Sequence, residues 1–109
     1  MKKINYEEIS FGIISKVGEA KYDILKSFDL SKENKIKDAI NLLEKARAKI
    51  GEAGKLHMEV IAAEANNIPL DFSALFMHAE DQFLTTQTLG DVIERMIYMQ
   101  EEINKLKNK

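Results

Sequence analysis

Asn66-Asn67-Ile68-Pro69-Leu70-Asp71 is the stretch that decides how this chain folds. It holds the only proline and lies between two long runs whose apolar residues recur every three or four positions. Asparagine tolerates the left-handed conformation that ends a helix, and proline pushes Ile68 out of the helical region. One helix therefore stops near Ala65, and another starts after Asp71 or Ser73, either of which can cap it.

Downstream, Gly90 is the only internal breaker, so the last helix is expected to run to about Lys107. About 35 helical residues span roughly 50 Å. Upstream, Ile36, Ile40, Leu43, Ala46, Ile50, Ala53, His57 and Ile61 line one side of a second helix whose later half is rich in Ala and Gly. Asp29-Leu30-Ser31-Lys32-Glu33-Asn34 breaks the period before it, with Ser31 read as the N-cap of the second helix. The first helix runs from near Tyr6 to near Asp29 along Ile9, Ile13, Val17, Ala20, Ile24 and Phe28. Gly12 and Gly18 inside it are candidate points of close helix approach. The expected fold is all-α, an antiparallel bundle of three long helices forming one domain over residues 1–109. Helices this long make a thin rod that buries little surface alone, and self-association is the natural remedy.

Composition narrows the chemistry. With three Tyr, five Phe and no Trp, the core must be mostly aliphatic. The absence of cysteine removes disulfides, thiol catalysis and Cys-ligated zinc, and fits the cytoplasm. Net charge is -2 and no basic stripe carries interleaved aromatics, which argues against nucleic acid. The Lys105–Lys109 run reads as a solvated helix end with cations on the negative end of its dipole. The start, Met1-Lys2-Lys3, has no signal-peptide core behind it, and no apolar run approaches the ~20 residues of a membrane span. Direct membrane insertion is not expected.

The third helix carries an anomaly. Leu89, Val92, Ile93, Met96, Met99 and Ile103 share a face and set the expected core direction. Turned by about 100° per residue, His78, Asp81, Gln82 and Thr85 fall on that same face, where apolar side chains should continue. An unpaired buried polar group costs roughly 1–3 kcal/mol, so four in successive turns need mutual partners, a cavity or an interface. A polar network that only fixes helix register is one reading. Chemistry at His78 is the other, because neutral imidazole is a nucleophile. Asp81 and His78 are too few for a tight metal site in one chain; three copies of Asp81 meeting on an axis would call for protons or a hard cation such as Mg²⁺. His57, on the second helix, reads as a satisfied core histidine.

The segment Leu75-Phe76-Met77-His78-Ala79-Glu80-Asp81-Gln82-Phe83-Leu84-Thr85-Thr86 closely resembles the active-site helix of the lactose/cellobiose-type enzyme IIA of the bacterial sugar phosphotransferase system. That family's usual pattern is hydrophobic-His-Ala/Gly-Gln-Asp-His-Leu-Met-Thr. Phe11-Gly12-Ile13-Ile14 with Val17-Gly18-Glu19-Ala20 is similar to its first-helix pattern, and Glu64-Ala65 precedes the loop as in the family. The resemblance covers essentially the whole chain. It implies a homotrimer of three-helix subunits, a phosphorylated histidine at His78, and an axial aspartate at Asp81 that binds a magnesium-type ion. It also implies HPr as phosphoryl donor and a cysteine of a cognate enzyme IIB as acceptor. Enzyme IIC then transports the sugar while IIA works in the cytoplasm. Gln82 and Thr85, one and two turns from His78, are our own candidates for donors to the phosphoryl oxygens.

The chain departs from the pattern at several places. Gly54 stands where the family often has histidine, His57 where it has glutamine, Glu80 where it has glutamine and Gln82 where it has histidine. Lys21-Tyr22 replaces Arg-Ser. Glu80 sets a negative charge near an incoming phosphate. Two rival readings stay open at this point: a trimeric helical regulator that no longer turns over, and a plain metal-binding bundle.

Overall fold

Asn5 starts the first helix: its side-chain oxygen accepts from the Glu8 N–H at 3.0 Å while its amide reaches back to the Glu8 carboxylate, a reciprocal cap. A computed structural model of the chain describes residues 4–109, so the basic start Met1-Lys2-Lys3 lies outside the described residues. Three helices follow one another, α1 (Tyr6–Lys32), α2 (Ile36–Ala65) and α3 (Ala74–Lys107), with no strand among the described residues. They form the expected all-α three-helix architecture as a rod of 64 × 20 × 19 Å. Its radius of gyration of 17.4 Å exceeds the roughly 13 Å of a compact chain of this length. No described helix is long and apolar enough to cross a membrane.

Both turns use asparagine in the same way. Asn34 (φ 63°) and Asn67 (φ 60°) are the non-glycine residues with positive φ. Around each, paired bonds close the helix end: Lys35 N–H to Leu30 carbonyl and Asn34 N–H to Ser31 carbonyl, then Ile68 N–H to Ala63 carbonyl and Asn67 N–H to Glu64 carbonyl. Reading Asn66-Asn67 as a helix stop is thus borne out. The role given to Ser31 is not. Ser31 lies in the last turn of α1, buried, with its hydroxyl donating to the Phe28 carbonyl at 2.6 Å. That backbone bond lets a serine continue the helix. Lys35 precedes α2 without a side-chain cap, whereas Ser73 caps α3 by accepting from the Phe76 N–H.

The core line of α1 is the expected one, with Ile9, Ile13, Val17, Ala20 and Ile24 buried and Phe28 half-buried. From α2 it takes Leu43, Ala46, Ile50 and Ala53 as expected, then Val60 and Ala63, while Ile61 turns outward. The line of α3 corrects the sequence reading. Phe76, Ala79, Phe83, Thr86, Gly90, Ile93, Ile97 and Asn104 face the bundle; Val92, Met96, Met99 and Ile103 are exposed, Met99 by 65%. The two lines of α3 differ by about 120° around the helix. The inner line mixes Phe76, Phe83, Ile93 and Ile97 with the small or polar Ala79, Thr86, Gly90 and Asn104, whereas Val92, Met96, Met99 and Ile103 are all large, so residue size points to the outer line.

Polar links tie the rod along its length. Asn104 donates its amide to the Ser31 carbonyl at 2.9 Å and to Asn34 Oδ1, fixing the end of α3 to the α1–α2 turn. Lys49 reaches Asp23 at 2.8 Å, and that hydrogen bond holds the lysine above its ordinary value of 10.5. A raised lysine value means its contribution is full below 10.5 and is lost as pH rises beyond, so the pair does not weaken near neutrality. Arg47 bridges α2 to Asp91 and Glu94 on α3.

Of the α1 glycines, only Gly12 marks a close approach: a Cβ there would sit 2.8 Å from Leu56 Cδ1, whereas Gly18 has open space. We expect Gly18→Ala to raise stability by about 0.5–1 kcal/mol in urea unfolding, and Gly12→Ala to gain less because Leu56 must move. We expect Asn104→Ala to cost about 0.5–1.5 kcal/mol in the same measurement, since it removes the amide's bonds to the Ser31 carbonyl and Asn34 Oδ1 while that carbonyl keeps the Asn34 N–H.

Candidate functional site

The cap at Ser73 and the loop before it place His78 just beyond the first turn of α3. Its neighbours in sequence alternate between bundle and solvent with the helical period. Phe76 and Ala79 go inward; His78, Asp81 and Thr85 are exposed and Gln82 is half-buried. The four residues singled out in the sequence therefore do share one face, but within the chain that face is the outer one. The expectation that they stand in the chain's own core is overturned, and with it the reading of a buried network. Thr85 donates its hydroxyl to the Asp81 carbonyl at 2.8 Å, a bond within its own helix. No hydrogen bond or ion pair to a described residue holds the His78 ring or the Asp81 carboxylate.

On the same face, beyond Thr85, come Leu89, Val92, Met96, Met99 and Ile103. One side of α3 thus reads as a polar patch continued by an apolar stripe, exposed at Val92, Met96, Met99 and Ile103, with Leu89 half-buried against the core. Among the described residues no group of three or more His, Asp and Glu side chains gathers to hold a metal ion. Asp81 alone offers a free carboxylate on this face, so any metal site through it needs carboxylates from further copies.

Behind His78 is an arrangement that spacing alone did not reveal. His57 of α2 lies between two phenylalanines of α3, its ring stacked 6.0 Å from Phe76 and tilted 5.1 Å from Phe83. Its Nε2 is 2.6 Å from the Glu80 carboxylate, which only accepts, so Nε2 carries the proton. Only 15% of the His57 side chain is exposed. The reading of His57 as a satisfied core histidine is borne out, and its partner is Glu80, another position of departure from the family pattern. Gly54 is a third: a Cβ there would lie 3.5 Å from the Phe83 ring.

Beside Glu80 and Met77 opens a groove of about 430 Å³ under the α2–α3 loop. Its carboxylates are Glu64, Asp71 and Glu80, and among the described residues no lysine or arginine lines it. Burial first, and then the charges of Asp71 and Glu64, push the Tyr6 phenol on its wall above the ordinary value of 10.

Comparison with known proteins agrees with the geometry. Residues 8–101 match the family described as the lactose/cellobiose-specific IIA subunit of the PTS system. An oligo-beta-mannoside-specific EIIA component of the PTS system from Bacillus subtilis (strain 168) is 33% identical over 84% of this chain and 83% of its own length. A lactose-specific EIIA component from Lacticaseibacillus casei is 30% identical over 94% and 95%. The crystal structure of the PTS cellobiose-specific enzyme IIA from Bacillus anthracis shares the fold, with a TM-score of 0.88 over 95% of each chain at 24% identity. The matched family spans both the helix that carries His78 and the bundle that presents it, and the chain belongs to the lactose/cellobiose-specific IIA subunits of the phosphotransferase system.

Proposed function

We propose that this chain is a phosphocarrier that accepts a phosphoryl group from phospho-HPr on His78 and passes it to the cysteine of a cognate enzyme IIB. That enzyme phosphorylates a lactose/cellobiose-class sugar as the membrane enzyme IIC transports it. The observation that carries the reading is the exposure of His78 on a face that nothing in the chain covers. A donor and an acceptor protein must each reach the same ring nitrogen in turn, which an exposed face allows and a closed pocket forbids.

The chemistry balances without a further reactant. The lone pair of the neutral His78 ring attacks phosphorus in line as the P–N bond to the donor histidine breaks, and the donor ring leaves with that electron pair. In the second step a thiolate attacks, a P–S bond forms and His78 is released. The transition state spreads charge over three equatorial oxygens, so positioning and hydrogen-bond donors carry the catalysis. The Gln82 amide, one turn on, would donate to those oxygens. Thr85 donates after turning its hydroxyl from the Asp81 carbonyl.

The assembly follows from the uncovered stripe. Val92, Met96, Met99 and Ile103 would be buried if copies of α3 packed face to face, and a homotrimer brings three Asp81 carboxylates together, with His78, about 60° to one side of Asp81, left in a groove between neighbouring subunits that both partner proteins can enter. Three hard oxygen ligands suit a Mg²⁺-type ion, which would offset their repulsion. This assembly works in the cytoplasm, where its donor and acceptor proteins meet it.

Incubation with phosphoenolpyruvate, enzyme I and HPr should give wild type an acid-labile mass gain of one phosphate and His78→Ala none. Equal gain in both, or none in wild type, sinks the assignment. In solution the wild type should have the mass of a trimer at micromolar concentration. A chelator should weaken it, whereas Asp81→Leu, free of the axial repulsion, should stay trimeric with chelator present. A wild-type monomer would refute the axial role.

A further inference from the structure

We propose that His57 is the positioning residue of the phosphoryl-acceptor turn: from α2 it grips Phe76, Glu80 and Phe83 and so fixes the rotation of α3 that aims His78. The inference rests on the reading of His78 as phosphoryl acceptor.

Phe76, Glu80 and Phe83 stand at i, i+4 and i+7, one stripe along α3. All three meet the same side chain of α2, two through ring contacts and one through the 2.6 Å hydrogen bond. Around the helix this stripe points about 180° away from His78. The grip is therefore directly behind the acceptor, on the turn that carries it. α2 and α3 approach each other less closely than either approaches α1, so large side chains such as His57, Phe76 and Phe83 bridge the gap between them. The other polar bridge between α2 and α3, from Arg47 to Asp91 and Glu94, lies more than ten residues further along.

The lever arm makes rotation matter. Side-chain tips lie about 6 Å from a helix axis, so a turn of 10° moves the reacting nitrogen by about 1 Å. A misplacement of that size can cost about a hundredfold in rate. A buried polar pair is weak evidence for stability, since well-packed apolar side chains hold helices together as well; register is its best-attested use. The two partners also depart together from the family pattern and touch each other, as expected of a pair that acts as one unit. Glu80 turns its charge away from His78 and into the α2–α3 seam, where the His57 N–H holds it.

The test is steady-state transfer from phospho-HPr, with kcat and KM read separately and thermal unfolding in parallel. His57→Leu keeps the packing between the rings but loses the bond. Its kcat should fall about tenfold or more, with KM within about twofold. His57→Gln keeps a donor for Glu80 and should recover most of the rate. Glu80→Ala, at a side chain that is one-third exposed, removes the bond from the other end and should repeat the kcat loss even if His57→Leu does not fold. An unchanged kcat in the folded bond-breaking variants, a loss confined to KM, or His57→Gln as slow as His57→Leu overturns the proposal. If wild type is phosphorylated on His78 while these outcomes hold, the positioning role fails alone. If wild type takes up no phosphate, both readings fail.

Discussion

The rotation of α3 about its own axis sets what the rest of the molecule can do. With Phe76, Ala79, Phe83, Ile93 and Ile97 turned into the bundle, His78, Asp81, Gln82 and Thr85 must point away from it, and so must Val92, Met96, Met99 and Ile103. A helix in a three-helix rod has two neighbours and therefore at least one bare side. In α1 and α2 that side is mostly charged. In α3 it carries the histidine, the unpaired carboxylate and the apolar stripe. Chemistry and the apolar surface for assembly thus fall on one line, and one angular choice determines both.

That angle is held at three levels along the rod. Asn104 pins the far end through the Ser31 carbonyl and Asn34, the residue whose left-handed backbone makes the first turn. Arg47 spans α2 and α3 near the middle. His57 grips the near end. Between these links the inner line of α3 interleaves the small Ala79, Thr86 and Gly90 with the larger Phe83, Ile93 and Ile97, so packing and directional bonds hold the angle together.

Much of this was legible in the sequence, and what was not has physical causes. The period of all three helices and the stop at Asn66–Pro69 follow from local sterics, which a single sequence contains. So does the family-like segment around His78. The phase of α3 is different in kind. Its sequence holds two apolar lines about 120° apart, and Val92, Met96, Met99 and Ile103 outweigh Ala79, Thr86 and Gly90 on any scale of side-chain size. Apolar size signals burial in some interface without saying which one. Ser31 was misread for a related reason: a short hydroxyl side chain serves as an N-cap or bonds back to its own helix, and the choice depends on whether the next residues find a left-handed turn. The His57–Glu80 contact spans 23 positions, beyond the reach of periodicity. Its only trace in the sequence was that both residues depart from one family pattern.

A phosphocarrier faces a conflict between access and precision, and the layout of α3 answers it. Walls around His78 would orient the ring but would block one of the two proteins that must reach it. A groove left open between subunits would admit both but has no wall from its own chain. Within the chain, orientation then comes through the helix backbone, from groups on the opposite side of the same turn. Phe76, Glu80 and Phe83 occupy that side, and His57 meets all three. In the proposed transfer the residues of α3 divide into two arcs of one helix. The outer arc carries His78 and the exposed apolar stripe; the inner arc, packed in the bundle and bonded at its near end to His57 of α2, sets where the outer one points.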